Sequence, residues 1–280
     1  MLIHKDFRTF AIITTFSPDD FFLSRIDRVV LQVCKVIIID DSGCNAISGF
    51  ESKLTDKKIL IIRNSVNMGI ASSLNIGIKK ASELGAKFIL TLDDDTLIPF
   101  NYLNKMMDAL KKNEKSVVSG GYGNHDVDIL YKNKRNLITS GCLYPIDLFK
   151  KVGLFNESFF IDLVDFEFCT RARKNGYRLI EIGKVRMDHS IGVGRDIQFP
   201  FFKIHIFNHS PFRNYYQIRN VWLYMHLHGK SDFIFSLYLV WGSIKLLLKI
   251  LFLEDQTWIR IKYASLGFFH GMRNITGRLR

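Results

Sequence analysis

The chain has 280 residues, of which 48% are hydrophobic, and this is ample apolar material for one large domain, or for one domain with an appendage. Its formal net charge of +12 predicts an anionic partner, namely a phosphorylated ligand, a nucleic acid or a membrane surface. The four cysteines form no CxxC pair, which argues against a disulfide framework or a zinc site, and the N-terminal MLIHKDFRTF lacks the pattern of a signal peptide. These features predict a cytoplasmic protein.

Short apolar runs alternate with amphipathic stretches along most of the chain, which predicts strands alternating with helices and a mostly parallel sheet. The polar stretch Gly120–Asn136 is expected to be a mobile loop. The predicted strands are Thr9–Thr15, Lys35–Asp40, Ile59–Ile62, Phe88–Leu92, Val117–Ser119, Leu179–Ile182 and Val185–Asp188. The predicted helices are Phe21–Val33, Ala71–Leu84, Tyr102–Lys112, Pro145–Val152 and a stretch that begins near Asp162 or Leu163 and ends at Asn175-Gly176.

Acidic residues stand at the ends of two predicted strands. Asp93, Asp94 and Asp95 follow the apolar run Phe88–Leu92, and Asp40 ends the second strand. Because ligands of open α/β sheets bind beyond the carboxyl ends of the strands, these acids are expected to converge on one edge of the sheet. Crowded carboxylates need a cation among them, and Mg²⁺ or Mn²⁺ would also hold the phosphates of a ligand. The alternative is a solvated acidic turn that caps the next helix.

A second group of acids lies among aromatic residues in FFIDLVDFEFCTRARKNGY, residues 159–177. Asp165 and Glu167 would stand in the first turn of a predicted helix, where the helix dipole alone favours carboxylates. Their apolar neighbours would also raise a carboxylate pKa and suit it to general-base catalysis. His189 ends a further strand, although a single histidine is more often structural than a ligand. Neither GxGxxG nor GxxxxGK[ST] occurs, so neither a dinucleotide fingerprint nor a P-loop is supported.

Five motifs, in their order along the chain, resemble those of the GT-A glycosyltransferases of family 2, and within that family the bacterial rhamnosyltransferases of cell-surface polysaccharide synthesis. The motifs are Asp40-Asp41-Ser42, Asn67-Met68-Gly69-Ile70, Thr91-Leu92-Asp93-Asp94-Asp95, Asp162-Leu163-Val164-Asp165-Phe166-Glu167 and His189-Ser190-Ile191-Gly192. The resemblance implies an α/β fold of the GT-A type, a Rossmann-like nucleotide-diphospho-sugar transferase with a mixed, mostly parallel sheet and a C-terminal helical tail. The expected domains are a catalytic domain in residues 1–198 and a helical, basic, membrane-associating region in residues 199–280.

The resemblance also implies which residues bind the donor. The positions that match nucleotide-binding residues are Thr15, Asp40, Asn67, Gly69 and Asp93. The positions that match metal ligands are Asp93, Asp95 and His189, and the cofactor they imply is Mg²⁺ or Mn²⁺.

The catalytic base implied by the resemblance is Asp165, which precedes Arg171 by the six residues that the family pattern requires. The expected acceptor-site residues are Gly141, Cys142, Glu167 and Arg213. Val164 departs from the pattern, because many relatives have Glu at this position, although the rhamnosyl-type subgroup often has an apolar residue there. The implied reaction is an inverting transfer of a sugar, L-rhamnose above all, from its thymidine-diphosphate donor to a glycan or a lipid-linked acceptor.

The C-terminal region contains the apolar run Phe233–Leu253, which is long enough to span a bilayer. Lys245 and Lys249 stand one helical turn apart on it, and a narrow cationic stripe on a wide apolar helix is typical of a helix lying in the membrane interface. The basic residues nearby would favour anionic headgroups. We therefore expect a peripheral enzyme on the inner face of the cell membrane. A buried helical hairpin or a homodimer contact is the alternative use of the same segment.

Other functions remain compatible with the sequence. A hexosyl or galactofuranosyl transferase would share the fold and the mechanism. A sugar nucleotidyltransferase would also bring strand-end acids to a metal, but it usually has a glycine- and basic-rich N-terminal loop, and Thr14-Thr15-Phe16-Ser17-Pro18 has neither feature. A nucleic-acid-binding protein would explain the net charge, but the basic excess is concentrated around an apolar tail, which argues against this partner.

Overall fold

The computed structural model describes residues 8–122, 130–189, 194–198, 203–207 and 209–279. The chain divides into two compact units. The first contains Met1–Asn156 and Asp165–His189, and the second contains Glu157–Val164 and Ser190–Arg280. The sequence-based boundary after residue 198 was drawn along the chain, whereas the second unit also takes in the short segment Glu157–Val164. The motif residues 190–192 lie outside the described residues.

The first unit is built on a mixed sheet in the order β3-β2-β1-β4-β8-β6-β9-β5, with β7 paired to β9. Its strands are β1 Thr9–Thr15, β2 Lys35–Asp40, β3 Ile59–Arg63, β4 Phe88–Asp93, β5 Thr96–Leu97, β6 Ser116–Tyr122, β7 Tyr131–Asn133, β8 Cys142–Pro145 and β9 Arg178–His189. Its helices are α1 Phe22–Val30, α2 Ile70–Glu83, α3 Tyr102–Lys112, α4 Ile146–Val152 and α5 Val164–Lys174.

Parallel pairing dominates the half of the sheet that begins the chain. Strand β1 pairs in parallel with both β2 and β4, and β2 pairs in parallel with β3. Every residue of β1 is buried, as is every residue of β2 after Lys35, because helices cover both faces of such a sheet. Strand β8 runs antiparallel to β4 and to β6. The predicted α/β fold with a mixed, mostly parallel sheet is therefore confirmed.

Two sequence predictions within the first unit were wrong. The two strands expected at Leu179–Ile182 and Val185–Asp188 form the single strand β9, with an irregularity where Ile182 and Arg186 pair with the consecutive residues Gly120 and Gly121. The expected loop Gly120–Asn136 includes the end of β6 and all of β7. Glycines in GGYG and polar residues around YKN weaken the apolar pattern by which a strand is recognised, and residues 123–129 lie outside the described residues.

Within its described residues, the second unit contains a two-stranded antiparallel sheet and three α-helices. These elements are β10 Gly194–Gln198, β11 Lys203–Phe207, α6 Pro211–His228, α7 Phe233–Phe252 and α8 Thr257–Met272. Helices α6 and α8 approach closely, because a Cβ at Gly267 would lie 2.3 Å from the carbonyl oxygen of Tyr215 and one at Gly271 would lie 2.7 Å from Cβ of Trp222. The buried Arg260 of α8 binds the side chain of Asn214 at 3.1 Å.

Candidate active site

Polar residues from three neighbouring strands meet at the carboxyl edge of the sheet. Thr15 at the end of β1 lies opposite Asp40 at the end of β2, and Thr14 lies opposite Asp93 at the end of β4. Neighbouring strands are about 4.8 Å apart, so Asp40 and Asp93 flank the end of β1 at roughly that distance on either side. The structure thus brings together three of the residues expected to bind a nucleotide.

The middle acid of Asp93-Asp94-Asp95 fastens this edge to β1. One carboxylate oxygen of Asp94 accepts hydrogen bonds from the Thr15 hydroxyl at 2.7 Å and from the Phe16 N–H at 3.2 Å. Burial raises the pKa of Asp94, and these hydrogen bonds oppose that shift. Asp94 therefore holds the acidic turn in place, a role that the sequence did not reveal.

The residues expected to hold a metal lie at the end of β4, in the turn that follows it, and at the end of β9. Asp93 ends β4 and its N–H donates to the hydroxyl of Ser140 at 2.9 Å, while Asp95 precedes Thr96, which pairs in β5 with His189 of β9. This pairing places the backbone of His189 beside the residue that follows Asp95. Two carboxylates one residue apart suit a hard cation. Within the described ranges, however, no three His, Cys, Asp or Glu side chains are already gathered into a metal-binding group.

Asp165 approaches the same region from the start of helix α5, where it is the second residue and is partly exposed. Burial raises the pKa of the Cys142 thiol to about 12, and the negative charges of Asp165 and Asp93 also raise it. The pKa of Tyr122 is raised by burial and, among other charges, by those of Asp93 and Asp165. Both carboxylates therefore lie within electrostatic range of the buried Cys142 and the partly buried Tyr122.

The loop before α2 is organised by Asp41 rather than by Asp40. The carboxylate of Asp41 accepts hydrogen bonds from the N–H groups of Met68 at 2.7 Å and Gly69 at 2.8 Å, and from the side-chain amide of Asn64 at 2.7 Å. Sequence reasoning missed this role, although two adjacent acids at a strand end were a signal for it.

The expected nucleotide-binding residues of this region have partners of their own. The side chain of Asn67 accepts from the N–H of Gly69 at 2.9 Å. Gly69 has a φ of 85°, a conformation that favours glycine. Asp40 is 1% exposed and its oxygens accept from the N–H groups of Ser42 at 3.0 Å and Ile47 at 3.4 Å. The structure therefore places Asn67 and Gly69 in the loop before α2, and Asp40 buried at the end of β2.

Gly141 and Cys142 form the turn into β8. Gly141 has a φ of 80°, its N–H donates to the carbonyl of Thr91 at 2.7 Å, and a Cβ there would lie 2.2 Å from the sulfur of Met187. The thiol of Cys142 is fully buried and donates to the carbonyl of Ile138 at 3.0 Å. These two residues shape the edge of the sheet, and Cys142 has no exposed surface with which to contact an acceptor.

Glu167 and Arg171 form a buried ion pair along α5. The carboxylate of Glu167, which is 2% exposed, receives three hydrogen bonds of 2.8 to 3.0 Å from the Arg171 guanidinium. Arg171 also donates to the carbonyls of Val152 at 2.6 Å and Leu154 at 2.8 Å. The pair thus ties α5 to the turn after α4, and Glu167 has a structural partner where the sequence predicted an acceptor contact.

Arg213, the remaining residue expected at the acceptor site, belongs to the second unit. Its guanidinium binds the carboxylate of Asp162 in the same unit, with Nη2 at 2.9 Å from Oδ1 and Nε at 3.1 Å from Oδ2. This bidentate pair gives Arg213 a structural partner where the sequence predicted an acceptor contact.

A mixed, mostly parallel sheet with carboxylates at its carboxyl edge is the arrangement that the motifs predicted for a GT-A fold. The sequence matches the family described as "Glycosyl transferase family 2" over residues 10–171, which is more than half of the chain. The chain therefore belongs to glycosyltransferase family 2, as its motifs predicted.

Relatives and solved structures agree with this family. The chain is 27% identical over 242 residues to the dTDP-rhamnosyl transferase RfbF of Shigella flexneri, covering 76% of this chain and 78% of that protein. It is 29% identical over 118 residues to an uncharacterized glycosyltransferase of Haemophilus influenzae, covering 40% of this chain and 35% of that one.

Two solved structures share the fold. S. aureus TarS 1-349 in complex with UDP-GlcNAc has a TM-score of 0.60 and 14% identity, over 94% of this chain and 81% of that chain. GalNAc-T7 with UDP, GalNAc and Mn²⁺ has a TM-score of 0.56 and 13% identity, over 65% of this chain and 42% of that chain. At this level of identity the likeness establishes the fold of the chain.

Proposed function

We propose that the protein is an inverting glycosyltransferase that transfers L-rhamnose from a thymidine-diphosphate donor to a glycan or lipid-linked acceptor in cell-surface polysaccharide synthesis. The observation that carries this proposal is the register of β1, β2 and β4, which sets Thr15, Asp40 and Asp93 at the carboxyl edge of the sheet. One acid at a strand end and another at a helix start supply a donor site and a base. The choice of rhamnose is supported by the similarity to RfbF.

In this proposal the donor nucleotide lies across the ends of β1, β2 and β4. At this edge Thr15 stands in register with Asp40, and Asp93 stands in register with the preceding Thr14. Asn67 and Gly69 form the loop beside it. The buried Asp40 shapes the floor of the nucleotide pocket through its hydrogen bonds to Ser42 and Ile47. Asp41 keeps the loop in place by holding two of its N–H groups.

Asp93, Asp95 and His189 are the residues that would hold Mg²⁺ or Mn²⁺ in this site. A bound cation of this kind supplies positive charge that neutralises a diphosphate leaving group. The two carboxylates provide the oxygen ligands that such cations prefer. Asp94, whose carboxylate is occupied by Thr15 and Phe16, keeps the turn that carries them in place.

Asp165 is proposed as the general base that takes the proton of the acceptor hydroxyl. The oxygen of that hydroxyl attacks the anomeric carbon of the donor sugar. A single displacement at that carbon, opposite the leaving diphosphate, inverts its configuration. The partial exposure of Asp165 lets an acceptor reach it, and its place at the start of α5 fixes its position on a rigid element. Glu167 supports this helix through Arg171 and stays out of the chemistry.

A panel of nucleotide sugars offered to the purified protein, with and without Mn²⁺ or Mg²⁺, tests the proposed donor. We expect metal-dependent binding and slow hydrolysis of thymidine-diphosphate rhamnose, measured by calorimetry and by release of the nucleotide. Preference for a uridine-diphosphate sugar would contradict the assignment of rhamnose while keeping glycosyl transfer. Failure to bind any nucleotide sugar would contradict the proposed function as a whole.

We also propose that helix α7 binds the cytoplasmic face of the membrane, where a lipid-linked acceptor would lie. Among the described residues, Phe233–Phe252 is a helix that is long enough and apolar enough to cross a membrane. Only 22% of its most apolar 18-residue window is buried. Its exposed apolar residues recur at helical spacing and include Ile234, Leu237, Tyr238, Trp241, Ile244, Leu248, Leu251 and Phe252.

A positive charge on the same face of α7 favours binding of this face to an anionic lipid surface. Lys245 is exposed within the apolar stripe, and its ammonium lies 5.9 Å from the centre of the Tyr238 ring. An apolar face with a lysine at its middle suits a headgroup boundary, where the stem is buried and the charge meets phosphate.

Flotation with vesicles that contain phosphatidylglycerol tests this membrane surface. We expect the protein to float at low salt and the double variant Trp241→Ser/Lys245→Glu to bind roughly a hundredfold more weakly, because both apolar and electrostatic attraction are lost. Phe21→Ser removes an exposed aromatic side chain from the first unit, 69% exposed against 55% for Trp241, and should float like the wild type. Absence of flotation at low salt, or concentration-dependent dimerisation lost in the double variant, would contradict the proposal.

A further inference from the structure

The segment Glu157–Val164 has an unusual backbone just before Asp165. Phe160, Asp162 and Leu163 have φ values of 63°, 62° and 60°, in the left-handed region that residues with a Cβ rarely occupy. Such conformations persist only where the surrounding structure holds them. Because the segment runs directly into α5, the anchoring of its backbone also fixes where that helix begins.

The side chain of Asn220 on helix α6 is the anchor of this segment. It is fully buried, and its amide Nδ2 donates to the carbonyls of Phe159 at 2.9 Å, Ile161 at 2.6 Å and Asp162 at 2.8 Å. One amide group thus gathers three carbonyls from four consecutive residues. Loss of this amide would remove a donor from all three carbonyls, although the carbonyl of Phe159 also accepts from the N–H of Ile161 at 2.7 Å.

Arg219, the neighbour of Asn220, orients that amide and extends the anchor. Its Nε donates to Oδ1 of Asn220 at 2.9 Å, so the amide nitrogen must face the segment. Its Nη2 donates to the carbonyls of Ser158 at 3.0 Å and Phe159 at 2.9 Å. The guanidinium is fully buried beside the rings of Tyr215 and Tyr216.

Two further contacts from α6 hold the left-handed residues themselves. The guanidinium of Arg213 binds the carboxylate of Asp162, and the ring of Tyr216 stacks on Phe160 with centroids 4.9 Å apart. Helix α6 therefore holds the segment by its carbonyls, by one carboxylate and by one aromatic ring.

We infer that Asn220, oriented by Arg219, is a positioning residue for Asp165, because it anchors the backbone segment that leads directly into α5. This inference rests on the proposed function, because it needs Asp165 to be the base. Asp165 directly follows Val164, the last residue of the anchored segment. A shift of the carbonyls of Ile161 and Asp162 is therefore passed along the chain to Asp165. Displacement of a catalytic group by about 1 Å can lower a rate by roughly a hundredfold.

The experiment compares two isosteric substitutions on the same helix. Asn220→Asp replaces the donating NH₂ with an oxygen that faces three carbonyls. Asn214→Asp is the matched control, because Asn214 is also buried on α6, but its Oδ1 accepts from Arg260 and its Nδ2 donates to Gln217. For each variant we would measure donor affinity, the fraction of donor-binding sites and turnover per donor-binding site.

We expect Asn220→Asp to lower turnover per donor-binding site by about a hundredfold with donor Kd within about threefold, and Asn214→Asp to change neither by more than about threefold. A purely structural role would reduce the number of binding sites and leave turnover per site unchanged, which would overturn the inference. If Asn220→Asp does not fold, Arg213→Gln tests the inference instead, because the side chain of Arg213 is 35% exposed and its replacement should be tolerated. We expect Arg213→Gln to lower turnover per donor-binding site by roughly tenfold.

The result for Asp165→Asn separates failure of the inference from failure of the proposed function. Full turnover in Asp165→Asn would overturn the assignment of the base, and with it the reason for a positioning role. Loss of turnover in Asp165→Asn together with wild-type turnover per site in Asn220→Asp would overturn the positioning role alone.

Discussion

Replacement of Asp165 by Asn is expected to lower turnover by a factor of about 10² to 10⁴ while donor affinity stays within about threefold of the wild type. An amide cannot take the proton of an acceptor hydroxyl, whereas it has nearly the size of the carboxylate and can still accept the hydrogen bond from the N–H of Phe166. The measurement is sugar transfer to an acceptor, expressed per donor-binding site, beside calorimetric titration with the donor nucleotide.

The matched control for this prediction is Asp147→Asn. Asp147 also stands in the first turn of a helix, α4, but its side chain is exposed and paired with Lys150 at 2.9 Å. Such surface pairs contribute little to stability, so this variant should retain wild-type turnover. If Asp165→Asn retained more than about a tenth of the activity, another group would have to remove the proton and the assignment of the base would be wrong.

The strands that carry the donor site could be predicted because they are covered on both faces. TFAIITT, KVIIID and FILTLD are continuous apolar runs that end in polar residues, and the structure confirms β1, β2 and β4 at these places. Parallel pairing then brings their ends together, so the position of Thr15, Asp40 and Asp93 at one edge follows from the sequence. Strands β7 and β10 have little apolar pattern, and no such signal marked them.

The partners of individual acids could not be predicted in the same way. Asp94 and Asp95 are neighbours of the same type, and only the tertiary structure shows that Asp94 is held by Thr15. Glu167 looked like a site residue because it lies near Asp165, yet a guanidinium one helical turn away neutralises it. A carboxylate's partner is decided by groups far away in sequence, and an (i, i+4) pair was the one local signal that pointed to Glu167.

The contacts of Asn220 with the segment before Asp165 could not be predicted from the sequence. Arg213-Asn214 and Arg219-Asn220 are the same dipeptide on one helix, and nothing local distinguishes them. In the structure Asn220 faces three carbonyls of the segment before α5, whereas Asn214 faces Arg260. The difference arises from the rotation of α6, which places residues six apart on different faces.

Replacement of Asp95 by Asn is expected to abolish most of the metal dependence of donor binding. In the proposed site Asp95 and Asp93 are the carboxylates that hold the cation, and loss of one charged ligand should weaken donor binding in Mn²⁺ or Mg²⁺ by about a hundredfold, since the cation supplies several kcal/mol of charge stabilisation at a diphosphate. Binding without metal should be unchanged. Titration with the donor nucleotide at fixed metal concentrations, together with the signal of bound Mn²⁺ in electron paramagnetic resonance, measures both effects.

Asp94→Asn is the matched control for this prediction, because it removes a negative charge from the residue next to Asp95. Burial already raises the pKa of Asp94, and an Asn side chain can still accept the hydrogen bonds of Thr15 and Phe16 through its Oδ1. The variant should therefore keep the metal dependence that Asp95→Asn loses. Loss of metal dependence in Asp94→Asn but not in Asp95→Asn would show that Asp94, and not Asp95, holds the cation. Equal donor affinity in all three proteins, with and without metal, would mean that these carboxylates hold no cation and that the donor diphosphate must be neutralised by other groups of the chain.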